Sequence, residues 1–523
     1  MSTVDTPVTS PDIASVLAKL AAREERLKLI EEENRWLKAQ LYGRSSEKRT
    51  AEDRNAVQVE LFNEIEAIAE AQPDAPETIT IPAHDRAQRG RKKLAADLPR
   101  VEVPHDLDAA DKFCPFDGTP LERIGEETAE QLDYIPAQIR VLKHIRPKYA
   151  CPCCRQGVYI KAVPPAIFPK SIATPSLLAH IATTKFVDGV PLYRQESQFD
   201  RLGVPLGRGT MALWMIRLGG TFLVPLVNLL NDLLLAESVI HCDETPLQVL
   251  RSDKAPTADH WMWVRAAGPP GRRIVLFDYD PSRGGAVPLR LLDGFHGTLV
   301  TDGWGSYEGV AAALKLTHAG CMAHARRKFD EARKAGSPDG HAKVALDFIG
   351  KLSLIERALW DRDEPMTAEQ RVTIRQQRSA PVMAEFHDWL TAIEPKAPPE
   401  SKLGKAIYYT LAQWSKLSVF LTQGDVPLTN NRVENAIRPF VIGRKGWLFS
   451  DTVKGAVASA TLYSLVETAK ANGVEPHAYL TLLFERLPHL KTVEDFEAVL
   501  PWNAKVAMRP TSQQSVAVDH VVI

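Results

Sequence analysis

Two short apolar runs that each close on an aspartate constrain this chain more than any other feature: SVIHCD, ending at Asp243, and GTLVTD, ending at Asp302. Around the first, Glu237 to Leu250, His260 to Ala266 and Arg272 to Tyr279 read as strands, punctuated by Gly and Pro clusters such as AAGPPG that mark hairpin loops. A helical stretch around Val287 to Leu292 and a strand from Gly297 to Thr301 follow. Hairpin-linked strands, a helix, then another strand describe a mixed α/β sheet. The sheet fixes the backbone of an aspartate at a strand end, and the side chain emerges where a polar substrate can reach it.

A third acid, Glu434 in TNNRVENAIRP, is expected to open a helix that Pro439 ends or kinks. Together the three look like one metal-binding catalytic site. A phosphodiester resists attack because its oxygens are negative, and cations bridged by carboxylates neutralise that charge. Magnesium or manganese prefers such hard oxygen ligands to a closed Cys/His cage.

The phrases HCDETPLQV, TDGWGSYEGV, GCMAHARRKF and NNRVENAIRPFVIGRKGWLFS resemble those of the insertion sequence 66 family of bacterial transposases, DDE enzymes with a ribonuclease-H-like core. KHIRPKYACPCC, KFVDGVPLYRQE and the N-terminal segment ending in LYGRSSEKR are similar as well, so the resemblance covers most of the chain. It implies catalytic acids at Asp243, Asp302 and Glu434, holding Mg2+ or Mn2+. It also implies a helical insertion, at about 330–425, before the helix bearing the glutamate.

Each acid has a plainer reading too. Asp243 and Asp302 precede turn-like residues, and Glu434 follows Asn431 by three positions, as the partner in a capping interaction does. All three inside one family-like framework favour the catalytic reading. Asp278 and Asp280 are decoys, since the resemblance does not select them.

The formal net charge of −1 offers no global attraction to DNA, so any DNA surface is local. Basic residues recur beside the acids: Arg326, Arg327 and Lys328 follow Cys321 and His324, while Arg432, Arg438, Arg444 and Lys445 surround Glu434. A carboxylate site alone repels phosphate, so flanking cations are needed to hold DNA. Cys321 and His324 form a C-x-x-H pair, a weak metal signal taken alone. Trp304 and Trp447 could stack on displaced bases, though core packing is the commoner use of such rings. Cys242 precedes Asp243 on a strand, so it points to the opposite face and reads as core.

Ile13, Leu20, Leu27, Asn34 and Leu41 repeat every seven residues, with Val16, Arg23, Ile30 and Leu37 three residues later. That spacing predicts a coiled-coil seam through which the protein pairs with itself, or else one amphipathic helix packed on its own chain. A charged segment with a basic cluster, Arg86, Arg89, Arg91, Lys92 and Lys93, reads as a linker. Cys114, Cys151, Cys153 and Cys154 then bracket β-like stretches as a zinc ribbon does. Where the family leads one to expect a second cysteine in the first knuckle, Asp117 stands. The alternatives are zinc held by Cys114, Asp117, Cys151 and Cys154, or a module held by packing; His105, His144 and Cys153 are substitute ligands.

The expected domains are therefore a coiled coil (1–48), a basic linker (49–104), a zinc-ribbon-like module (105–165), a helical DNA-binding segment (166–236), a catalytic core (237–450) and a C-terminal helical domain with tail (451–523). In the fourth, Pro175 to Phe186 and Pro191 to Leu202 precede a glycine turn and a helix opening at Thr210. This fits a helix-turn-helix with Arg208 and Arg217 near phosphate, or a helical hairpin in the core. Leu218 to Ala236 is too interrupted by Pro225, Asn228, Asn231 and Asp232 for a membrane span and reads as a buried helix. The polar N-terminus and few cysteines point to the cytoplasm, there to the nucleoid.

The mechanism expected is two in-line displacements: water attacks at a transposon end, and the freed 3′ hydroxyl attacks target DNA. The second step rests on the resemblance, as does a role for small accessory proteins. A nuclease without strand transfer and a DNA-binding regulator with an inactive core are the alternatives.

Overall fold

The computed structural model describes residues 139–150, 158–336, 340–360 and 364–507, with a few single positions before and between them. The expected coiled coil, most of the linker and the ligands Cys114, Asp117, Cys151 and Cys154 lie outside the described residues. The chain divides into two compact units, the second covering Asn63–Lys161. Within that unit β1 (Lys148–Tyr149) pairs antiparallel with β2 (Tyr159–Ile160). Arg146 Nη1 donates to Lys161 O at 2.9 Å across the hairpin.

The other unit is built on one mixed sheet. Strands β3 (Val239–Arg251), β4 (Asp259–Ala267) and β5 (Ile274–Asp280) form an antiparallel meander. β6 (Thr298–Val300) and β7 (Thr317–Ala319) add on the other side of β3 in parallel, giving the order β5-β4-β3-β6-β7, and β8 (Ser450–Thr452) pairs with the far end of β3. β3 to β6 fall where the apolar runs placed them, whereas β7 and β8 were not anticipated from the sequence. The parallel pairs need crossovers, which the helices α5 (Ala286–Leu291) and α6 (Ser306–Ala313) provide.

Before the sheet come α1 (Pro175–Phe186), α2 (Leu192–Arg201), α3 (Arg208–Arg217) and α4 (Val224–Leu235). Met211, Trp214 and Met215 of α3 are buried, Arg208 pairs with Glu196, and the Arg217 guanidinium lies 4.9 Å over the Phe168 ring. The face of α3 that carries Met211, Trp214 and Met215 therefore packs into the core, while Leu213 is exposed. Among the described residues no single helix is long and apolar enough to cross a membrane, and α3 and α4 meet at a 50° bend. Leu218, Leu226, Leu230 and Leu234 are buried there, as expected of a core helix.

Between β7 and Glu434 stand α7 (Met322–Ala335), α8 (His341–Trp360), α9 (Ala368–Ile374), α10 (Ala380–Ile393) and α11 (Lys402–Ala412). This is the helical insertion, with its own core around Phe329, Phe386, Leu390 and Phe420. Then α12 (Asn431–Trp447) carries Glu434, and α13 (Val453–Ala471) and α14 (Pro476–Arg486) follow. Of the two outcomes expected at Pro439, an end or a kink, α12 does not end there but runs on to Trp447. Its Val433, Ile437, Phe440 and Val441 are buried, and that packing outweighs the one lost hydrogen bond. Asn435, whose carbonyl loses its donor, is exposed to water.

The free edge of β5 is closed by a helix. Ser464 Oγ accepts Phe277 N at 2.8 Å, Thr468 Oγ1 accepts Val275 N at 3.0 Å, and Asn472 Oδ1 accepts Arg273 N at 2.9 Å. Four helical residues rise about 6 Å and two strand residues about 6.8 Å, so side chains spaced by four match alternate strand amides. An edge that could template pairing with another chain is thereby satisfied within the protein.

Candidate active site

Strand register brings the two aspartates together. His241 faces Val300 at the end of the parallel β3–β6 pair; Asp302 follows two residues beyond β6, as Asp243 lies two beyond His241 on β3, near enough for its charge to act on the Asp243 carboxyl. Trp304 N donates to Asp302 Oδ1 at 2.9 Å and Glu244 N to Asp243 Oδ1 at 2.8 Å. The Thr301 hydroxyl donates to Asp302 O at 2.9 Å. It has a single proton to give, so His318 Nε2, 2.8 Å away, must donate into it.

The helix α12 lies along the odd-numbered face of β3. At its start Asn430, fully buried, contacts His241 Nδ1 at 2.8 Å, donates to Cys242 O at 3.1 Å and gives its backbone N–H to Cys321 Sγ. Further along, the Arg444 guanidinium reaches Thr245 Oγ1 at 3.3 Å. Between these anchors Glu434 is 8% exposed, in the first helical turn where the macrodipole favours a negative charge. Its carboxylate forms no capping box; Oε1 lies 3.7 Å from His324 Nδ1 and 3.9 Å from Cys321 Sγ.

The electrostatics record how near the acids are. Burial, then Glu244, then Asp302 and Glu434, push the Asp243 carboxyl well above the usual carboxylate range. Burial and then Arg327 hold His324 near 4, so it is neutral at pH 7. Burial pushes the Cys321 thiol up to about 12.

Glu244 escaped the sequence reading. It sits on the even-numbered face with Cys242, accepts Tyr307 Oη–H at 2.6 Å, and pairs with Arg283 at 2.8 Å. The Arg283 guanidinium lies 4.7 Å from each of the Trp261 and Trp304 rings. Gly303 was read as half of a turn pair, yet a Cβ there would lie 2.7 Å from the Tyr409 ring. No local signal in the sequence marks that contact, because Tyr409 comes from the insertion.

Of the predicted basic residues, Arg326, Arg327 and Lys328 lie on α7, with Lys328 Nζ 4.8 Å over the Tyr409 ring and Arg327 Nε buried without a hydrogen-bond partner. Lys445 is exposed and Arg438 half-buried. Arg432 instead donates to Gly268 O, and Arg444 is only 8% exposed, so both point into the protein. Burial pulls each down to about 10. Asp278 and Asp280 are paired with Arg265 and Arg290. Trp304 packs edge-on to Tyr307 and Trp447 to Phe440.

A family model described as "Transposase IS66 family" matches residues 170–458. Models for the zinc-finger binding domain of transposase IS66 and for the IS66 C-terminal element match residues 111–155 and 464–502. A further one, "Transposase C of IS166 homeodomain", matches 29–103. The uncharacterized protein y4jD of Sinorhizobium fredii is 33% identical over 485 residues, which is 90% of this chain and 93% of that protein. Another from the same organism, y4qI, is 34% identical over 434 residues, 80% of this chain and 78% of its own length.

Proposed function

The chain belongs to the IS66 family of transposases, and on that premise we propose that it cuts the ends of an insertion sequence and joins them to target DNA at a site formed by Asp243, Asp302 and Glu434. A transposase binds DNA, and its chemistry is polynucleotidyl transfer. The observation that carries the finer reading is the raised Asp243 carboxyl, pushed up by burial and by three neighbouring carboxylates. Like charges gathered at one place cost free energy that a bound cation recovers.

Mg2+ or Mn2+ held by the three acids would neutralise phosphate charge and stabilise the attacking and leaving oxygens of an in-line displacement. Asp243 and Asp302 are held rigid by the sheet, and the Asn430 anchors fix the helix from which Glu434 reaches them. Arg326, Arg327, Lys328, Arg438 and Lys445 hold the DNA backbone against the repulsion of the acids. Water attacks first and frees a 3′ hydroxyl; that hydroxyl then attacks the target strand. Work on two ends calls for at least two protomers, which the N-terminal heptads supply, with small accessory proteins of the element assisting. Zinc held by Cys114, Asp117, Cys151 and Cys154 would order the N-terminal module.

The test is Mg2+- or Mn2+-dependent cleavage of the DNA flanking the coding region, with Asp243→Ala alongside. An enzyme loses cleavage and keeps end binding. A variant that cleaves as well as the wild type overturns the assignment.

A further inference from the structure

Glu434 has a second set of neighbours whose chemistry differs from that of the aspartates. One ligand atom from each of Cys321, His324 and Glu434 lies within 4.8 Å of the other two. Around a tetrahedral zinc ion, bond lengths put nitrogen and oxygen ligands about 3.4 Å apart and sulfur and oxygen about 3.6 Å apart. The observed 3.7 Å from His324 Nδ1 and 3.9 Å from Cys321 Sγ to Glu434 Oε1 exceed these by a few tenths of an ångström. A cation would need to draw His324 and Cys321 only slightly toward Glu434, and the two of them, within 4.8 Å of each other, toward one another.

Two further observations point to a ligand. His324 Nδ1 is shut off from solvent and makes no hydrogen bond, and 3.7 Å to a carboxylate oxygen is too long for one. A buried ring nitrogen without a partner is costly unless something occupies it. Cys321 Sγ accepts Asn430 N–H at 3.1 Å, and Cys321 is the N-cap residue at the positive end of the 14-residue helix α7.

We propose that Cys321, His324 and Glu434 form a binding site for a borderline-soft divalent cation of the zinc class, sharing Glu434 with the hard-cation site of the aspartates. Thiolate and imidazole select zinc or cobalt over magnesium, whereas the aspartates select the reverse. Binding releases the thiol proton and closes the trio around the ion. The proposal rests on the catalytic reading only for the second role of Glu434; metal capture by the trio stands without it. An ion there draws Glu434 away from Asp243 and Asp302, so zinc and magnesium compete for the same carboxylate.

The test uses the full-length chain and Co2+ as probe, comparing wild type with Cys321→Ser and His324→Ala. Bound cobalt per chain and the thiolate-to-cobalt absorption in the near ultraviolet are read together. Cys114, Cys151, Cys153 and Cys154 are common to all three proteins and supply the same background. The expected result is one bound cobalt fewer in each variant, with a weaker thiolate band in Cys321→Ser. Equal cobalt and equal absorption in all three overturn the proposal. Should Cys321→Ser misfold by circular dichroism, His324→Ala keeps the buried sulfur in place and decides alone. Asp243→Asn separates this proposal from the catalytic one: it keeps the wild-type thiolate-to-cobalt absorption while losing cleavage, and a variant that still cleaves counts against the catalytic site alone.

Discussion

In the helical insertion, Arg375 is fully buried and grips both oxygens of Glu356, at 2.8 and 2.6 Å, while Phe420 O and Gln423 O take further N–H groups. On the sheet, Asp243, Asp302 and Glu434 instead bring like charges together, and Asp243 shows the strain in its raised carboxyl. The first cluster is complete in itself and belongs to the fold. The second gathers like charges without a counter-charge of its own, and the proposed cation would supply one.

Neutralising one member should therefore act in opposite directions in the two places. For Asp243→Asn the expected loss of cleavage is about 10³-fold or more, several kcal/mol of transition-state stabilisation. Denaturant unfolding without divalent ions should show the same variant more stable than the wild type by ~1 kcal/mol, because a repelled charge has gone. A variant that is inactive and also less stable would mean the carboxylate is structural. Glu356→Gln should do the reverse, costing about 3–5 kcal/mol by leaving Arg375 buried without its counter-charge.

Acid sharpens the contrast. Burial, then Lys416, hold His318 near 4, while an unfolded histidine titrates near 6.5. As pH falls the unfolded chain takes up its proton first, so up to ~3 kcal/mol of stability is lost between about 6.5 and 4. Urea titrations across that window should be flatter for His318→Gln, and identical slopes would remove His318 from the network behind Asp302. A further effect is steric: Gly303→Ala should cost about 1–2 kcal/mol by driving a methyl into the Tyr409 ring, and Tyr409→Leu should recover part of it. Additive losses in the double variant would show that the two residues do not touch.

How much of this could be read from sequence depended on whether the information was local. The strands around Asp243 and Asp302 were legible because apolar runs bounded by Gly and Pro determine them within a few residues. Cys242 was rightly read as core, since alternation alone sends it to the face opposite Asp243. The course of α12 past Pro439 was not legible, because packing against β3 rather than local propensity decides it. Nor was Arg444, whose charge reads as a surface feature until the fold buries it beside Thr245. Asn430 and the Cys321–His324 pair acquire their roles only when residues more than a hundred positions apart meet, as Cys321 and Glu434 do. The zinc ligands, read from cysteine spacing with Asp117 standing where the resemblance leads one to expect a cysteine, and the coiled coil, read from heptad spacing, lie outside the described residues.

The central claim is that Asp243, Asp302 and Glu434 share one cation, and Mn2+ binding followed by electron paramagnetic resonance tests it most directly. Wild-type protein should take up Mn2+ saturably, and Asp243→Asn, Asp302→Asn and Glu434→Gln should each weaken that binding by about tenfold or more, roughly 1.4 kcal/mol. Three variants that bind Mn2+ as tightly as the wild type would contradict it.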